Sequence, residues 1–360
     1  MKIVNFMFVH KLDIIFIQEH NIKDKNKLEY LEKYCKVLLN YTQNLKGGLA
    51  ILINNTSNVD VLDSELDVNG FVLSALCRVA TVKILLLNVY APSGTDKKRE
   101  REQLFGSDIL YFLRNNISHI IMGGDWNCIT SMRDCSNPNN ELLSKSLLTL
   151  KNNLKLKDAW FLLNHHVEYT YLRENYGSRL DRFYVKDFQN NVANIQTIPV
   201  SWSDHCSVKL SLKLENVITS GKGYWKLNCN TLEHDIVENN FGLFWEFIQR
   251  KKGNFDNIVC WWKFAKCELK NFFIKCSKQI SKEKYGLLEL LNYQLRNEME
   301  KVALNPGNLE NITNIKSRIN DIQDDICEGI KVRAKVDDHL KGEQVSAYLL
   351  GKEKGGRTFL

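Results

Sequence analysis

The sequence predicts an α/β (α+β) domain, a sandwich of many short strands, followed by a mainly helical connector. Two observations carry this. Up to about Leu214, short apolar, β-branched runs alternate with polar stretches of helical character, with Gly, Asn and Pro between them. After the loop at Thr219 to Trp225, apolar residues recur at helical spacing instead. In chain order the strand-like runs are IIFIQE from Ile14, GLAILIN from Gly48, VLSALCRVA from Val72, KILLLNVYAP from Lys83, HIIMGGDWN from His119 and SVKLSLKL from Ser207. The helical stretches are FWEFIQR from Phe244, WWKFAKCELKNFFIKC from Trp261 and YGLLELLNYQLRNEMEKVAL from Tyr285, broken at Asn305-Pro306-Gly307. The boundaries expected are 1–214 for the strand-rich domain and 215–360 for the connector.

Composition limits the function classes. With 44% hydrophobic and 25% charged residues among 360, the chain is globular and long enough for a large domain plus a second segment. No uncharged apolar run reaches about 18 residues. Lys2, His10, Lys11 and Asp13 interrupt the opening stretch, which reads as neither signal peptide nor membrane span and points to a soluble, intracellular chain. Ten cysteines without a CxxC pair argue for reduced thiols, against a zinc module and against a disulfide scaffold. The net charge of +7 permits a polyanionic partner without requiring one.

The chemistry-bearing residues sit where strands should end. Glu19 follows Ile14 to Ile17, so its carboxylate is expected at the C-terminal edge of a strand, although a lone Glu there also reads as an exposed charge. Asp125 and Asn127 close the run through Gly123-Gly124-Asp125-Trp126-Asn127. The two glycines permit close backbone approach to a ligand or metal, and strand alternation would put Asp125 and Asn127 on one side. A Gly-Asp turn before an Asn-capped helix is the alternative. In Ser178-Arg179-Leu180-Asp181-Arg182 the aspartate lies between two arginines, a pattern that also fits a surface ion-pair cluster. Ser201-Trp202-Ser203-Asp204-His205 leads into the last strand-like run. Together these clusters offer carboxylates for a hard divalent cation, an amide, an aspartate able to orient a histidine, and that histidine, a set suited to phosphodiester hydrolysis.

Gln18-Glu19, Asn88-Val89-Tyr90-Ala91-Pro92, Gly124-Asp125-Trp126-Asn127, Ser178 to Arg182 and Ser203-Asp204-His205 resemble, in this order, the successive motifs of the endonuclease/exonuclease/phosphatase superfamily. Their form is most similar to the apurinic-endonuclease-type nuclease of LINE-type non-LTR retrotransposon polyproteins. The resemblance implies a four-layered α/β sandwich, two sheets with helices outside, and single-strand nicking of DNA that leaves a 3′-hydroxyl to prime reverse transcription. It implies Glu19 as a metal ligand and Asp204 as a supporting acid near the metal. Asp125 would position and deprotonate the attacking water, with Asn127 helping to hold it. His205 would contact the scissile phosphate, Asp181 would orient it, and the Tyr90 phenol would reach the phosphate. Thr170, Arg179 and Ser203 would lie on the substrate side. The cofactor implied is magnesium, with manganese as a substitute. The partners implied are DNA and, through the full polyprotein, element RNA, with no membrane, no small organic cofactor, and a location in nucleus and cytoplasm.

In the family a strand carrying an asparagine, then a helix, precede the Gln-Glu strand. Here the chain begins within that helix, and Asn5 fits a helical position. The expectation is therefore a missing first strand and metal-site amide, an unpaired sheet edge with an exposed apolar groove, and impaired activity. Gly223-Tyr224-Trp225-Lys226-Leu227-Asn228 resembles the segment that follows the nuclease in such polyproteins, and Gly342-Glu343-Gln344 through Glu353-Lys354 the segment that precedes the polymerase; a generic amphipathic helical bundle is the other reading. There is no polymerase Asp-Asp motif, so reverse transcription is not expected of this chain. The rival functions are a same-fold phosphatase or phosphodiesterase acting on a small phosphorylated substrate, and an inactive nucleic-acid-binding remnant.

Overall fold

The computed structural model describes residues 2–20, 25–40, 48–114, 116–137, 142–173, 176–215, 225, 227–304 and 309–334. The expected break at Asn305-Pro306-Gly307, all but Trp225, Leu227 and Asn228 of the segment from Gly223, and the segment from Gly342 lie outside these residues. The elements run α1 (Lys2–Val9), β1 (Ile14–Gln18), α2 (Lys25–Glu32), β2 (Cys35–Asn40), β3 (Leu49–Asn54), β4 (Val59–Leu66), β5 (Val72–Val79), β6 (Val82–Tyr90), α3 (Lys98–Gly106), β7 (His119–Asp125), α4 (Lys145–Leu154), β8 (Lys157–Asp158), α5 (Trp160–Leu163), β9 (Tyr171–Arg173), β10 (Tyr176–Ser178), β11 (Asp181–Lys186), β12 (Val192–Ile198), β13 (Ser207–Leu212), α6 (Asp235–Arg250), α7 (Ile258–Leu304) and α8 (Leu309–Ala334). The six strand-like runs became β1, β3, β5, β6, β7 and β13. Periodicity missed β4, whose residues are mostly exposed, because an edge strand needs no apolar face of its own.

The central sheet has the order β4-β5-β6-β7-β11-β8, with β6 and β7 parallel and the other pairs antiparallel. Strand alternation divides its side chains between two cores. Leu85, Leu87 and Val89 of β6 and Met122 of β7 pack with Leu104 and Phe105 of α3 and Leu147 and Leu150 of α4. Ile84 and Leu86 of β6, Ile121 of β7 and Val185 of β11 face the opposite way, onto Leu49, Ile51 and Ile53 of β3. Each of these aliphatic side chains contributes about 1.5–3 kcal/mol when fully buried. The result is an α/β sandwich, as the sequence predicts.

The second layer of strands is divided. One piece is β1-β3-β2 and the other β12-β13; β9 and β10 form a further pair. Among the described residues, β1 pairs with β3 alone and β13 with β12 alone. Ile14 and Phe16 on β1 and Val208, Leu210 and Leu212 on β13 nevertheless cover one core and are only partly buried. Among the described residues, both strands thus have one side with no further strand beside it. The start of the chain is helical as expected, with Asn5 buried in α1.

Two compact units divide the chain, Met1–Thr219 with Gln294–Ser317, and Ser220–Tyr293 with Arg318–Leu360. The contact boundary thus differs from the expected 214/215 division by returning a helical segment to the first unit. In the second unit, α6 starts on Asp235 and Glu238 and ends on Arg250, charges that suit the helix dipole, and His234 caps its first turn. Phe244 stacks on Phe272 at 4.3 Å, and Trp261 Nε1 donates to the Ile248 carbonyl at 3.1 Å. No helix among the described residues is long and apolar enough to cross a membrane.

Candidate active site

Strand pairing in the central sheet places the first two acids side by side. β7 ends at Asp125, β11 begins at Asp181, and the two residues are direct partners in the antiparallel register. The parallel neighbour β6 sets Tyr90 opposite Asp125. His205, in the loop between β12 and β13, meets Asp181 with Nδ1 to Oδ2 at 2.8 Å. One ligand atom from each of Asp125, Asp181 and His205 can lie within 4.8 Å of the others. Glu19 follows β1 with a left-handed φ of 54° and accepts a hydrogen bond from the Tyr90 hydroxyl.

These contacts set the electrostatics. Burial, then the Asp181 carboxylate, push Asp125 up to about 7, with a further contribution from Glu19. For His205, burial opposes the charged form, but the hydrogen bond and charge of Asp181, reinforced by Asp125 and Asp204, outweigh it and push the imidazole up to about 9. Burial and then the bond to Glu19 raise the Tyr90 phenol. At neutral pH the site therefore offers a poised carboxyl beside a stable imidazolium.

Several expected residues stand elsewhere. Arg179 does not face a substrate: it is 2% exposed, with Nε 2.9 Å from Asp134 and Nη2 2.7 Å from Asp158. Arg182 is equally buried and donates to the Cys128 carbonyl, so this pattern is an internal ion-pair cluster rather than a surface one. Thr170 is also buried, and its hydroxyl accepts the backbone N–H groups of Leu180 and Asp181 at 3.0 Å each, which directs it inward. The Ser203 hydroxyl accepts the His205 N–H at 3.0 Å and shapes the turn. Asp204 is exposed beside His205 and lies outside the close trio. Asn127 directs both its backbone N–H and its Nδ2 at Asp125, and Nδ2 also donates to the Ala91 carbonyl. It thus orients the carboxylate.

The glycines before Asp125 serve the sheet. A Cβ at Gly124, where φ is +140°, would stand 1.9 Å from the Val89 carbonyl oxygen, and one at Gly123 would meet the Phe183 ring at 2.3 Å. The close approach is to neighbouring strands rather than to a ligand.

Residues 2–205, which span every one of these site residues, match the Endonuclease/Exonuclease/phosphatase family. The chain belongs to that family. A relative from Xenopus laevis, the Transposon TX1 uncharacterized 149 kDa protein, is 25% identical over 374 aligned residues, taking in 99% of this chain and 28% of the relative. The chain thus spans little more than a quarter of that relative's length. Among solved structures it is similar to AP endonuclease LMAP from Leishmania major, 18% identical with a TM-score of 0.49 over 58% of this chain and 80% of that one. It is also similar to an AP endonuclease from Archaeoglobus fulgidus, 14% identical with a TM-score of 0.49 over 59% and 93%.

In this member of the family, three residues not singled out from the sequence hold the site. Asn88 on β6 accepts from Gln18 Nε2 at 2.6 Å and donates to the carbonyls of Ile17 and Ala50 at 3.0 and 2.9 Å. This stitch ties the end of β1 to the central sheet and brings Glu19 to Tyr90. The Tyr171 ring lies 4.9 Å from the His205 ring. Gln18 and Asn88 stand inside quoted motifs, but their partners are 70 residues apart and only the sheet packing pairs them. A divalent cation fits this donor set. Asp125 is raised first by burial and then by the Asp181 carboxylate, with Glu19 adding to it, and carboxylates gathered in this way are hard oxygen donors for such a cation.

Proposed function

We propose that this chain hydrolyses a phosphodiester in DNA, making a single-strand nick that leaves a 3′-hydroxyl for target-primed reverse transcription, with magnesium as the cation. The observation that carries the reading is the convergence of Asp125, Asp181 and His205 from three separate segments onto one site. The transposon origin of the Xenopus relative supports DNA over a small phosphorylated substrate.

Asp125, held by Asn127, takes a proton from the attacking water; its pKa of about 7 lets it exist as carboxylate and accept that proton near neutrality. His205, whose Nδ1 is committed to Asp181, presents its other ring N–H to a phosphate oxygen and opposes the charge that grows there. The Tyr90 phenol, set beside the Glu19 carboxylate, reaches the same phosphate. The water oxygen bonds to phosphorus, the P–O3′ bond breaks, and the 3′ oxygen takes a proton from solvent to become the hydroxyl. Glu19, with Asp204 in support, would hold a divalent cation, which when bound supplies positive charge against the phosphate.

Incubation with supercoiled plasmid tests this. Open circles are expected with magnesium and none with a chelator, and Asp125→Asn should lower the rate at least about hundredfold. Hydrolysis of a small phosphate ester with the plasmid untouched would favour the same-fold phosphatase reading; binding without cleavage would favour a remnant.

A further inference from the structure

The helical return into the first unit reaches the elements that hold His205. Arg296, on α7, places Nη1 2.9 Å from Glu168 Oε1 and donates from Nη2 to the Thr197 carbonyl at 2.5 Å. Glu168 accepts the Thr197 hydroxyl with its other oxygen. One guanidinium thus ties together β12 and the segment just before Thr170. Both flanks of the His205 loop depend on these two elements. The loop leaves β12 after Ile198, and the chain returns through Cys206, whose N–H donates to the Thr170 carbonyl at 2.7 Å. Thr170 in turn accepts the amides of Leu180 and Asp181 through its hydroxyl, and Tyr171 bridges to His205. The Arg296 and Glu168 side chains are 28% and 19% exposed, so water screens the pair less than it would a surface one.

We infer that Arg296 is a positioning residue for the proposed hydrolysis, fixing through Glu168, Thr197 and Thr170 the distance between His205 and the Asp125–Asp181 pair. The inference rests on the phosphodiester reading for its effect on rate. The structural half stands apart from it. A connector residue 91 positions beyond His205 would then belong to the machinery of the nuclease unit rather than to a spacer.

The full chain carrying Arg296→Ala is expected to lose about tenfold in kcat for plasmid nicking with KM within about twofold, because a shift well below 1 Å misaligns the reacting groups without removing DNA contacts. Arg296→Lys, which keeps the charge beside Glu168, should recover most of the loss. Hydrogen exchange reads the coupling without turnover: the amides of Leu180, Asp181 and Cys206 should exchange faster in Arg296→Ala while those of the β6–β7 pair stay unchanged. Should Arg296→Ala fail to fold, Arg296→Gln is read in the same way. Unchanged kcat, a loss confined to KM, or unchanged exchange at the three amides would overturn the inference. A parent chain that does not nick would count against the phosphodiester reading alone, and the exchange pattern would then decide whether Arg296 positions the loop.

Discussion

At the scale of single residues, the site is a set of charges whose pKa values have been separated by position. Asp125 is drawn up to about 7 by burial and then by Asp181, and His205 up to about 9 by Asp181 against the pull of burial. The proposed hydrolysis requires the first ionised and the second protonated, so the rate should climb as pH rises through about 7 and decline through about 9. Asp181→Asn keeps the shape and removes the charge. It should carry the alkaline limb from about 9 toward the ordinary imidazole value of 6.5 and cut the rate at pH 8 by at least about tenfold; a pH–rate profile of the variant checks both, and an alkaline limb that stays in place would remove Asp181 from the mechanism. Stability follows the same signs. His205 has a raised folded pKa, so its contribution is complete below 6.5 and is lost as pH rises through about 9. Asp125, also raised, favours folding at low pH, and that contribution is lost as pH rises from 3.8 through about 7.

At the scale of elements, register and one side-chain stitch align the strand ends. The β6–β7–β11 register fixes Tyr90, Asp125 and Asp181 in a row, but Glu19 belongs to another sheet and is brought there by Asn88. Asn88→Ala would leave the Gln18 amide and the Ile17 and Ala50 carbonyls without this partner. Ala50 is fully buried, so at least one group would lose its bond out of reach of water, at a cost of about 1–3 kcal/mol. The expected outcome is a lower denaturation midpoint together with slower nicking, because Glu19 loses its alignment with Tyr90. A full loss of stability with the rate untouched would show that β1 is held by its packing alone.

At the scale of the whole molecule, the divided second sheet is the largest departure from regular architecture. Among the described residues, β1 and β13 each pair on one side only, and their apolar side chains, which cover one buried core, are themselves only partly buried. An added N-terminal strand, carrying an asparagine, that pairs with the open edge of β1 is expected to raise stability by at least about 2 kcal/mol through added ladder bonds and burial. It should raise solubility and magnesium-dependent nicking as well, and unchanged values of all three would show that the chain tolerates its edges as they stand. Local pattern was enough to read six strands, the α/β class, the helical character of the connector and the motif order, because strand and helix periods are written in neighbouring residues. The directions of Arg179 and Thr170 were not legible: the same Ser-Arg-Leu-Asp-Arg run serves equally on a surface, and only burial against Asp134 and Asp158 turned the arginine inward. The sequence by itself determined which elements form and which chemical groups end them. Tertiary structure alone decided that Asp125, Asp181 and His205 meet, that Asn88 joins two sheets, and that Arg296 returns to the first unit, because each of these depends on contacts between residues far apart in the chain, which no local period encodes.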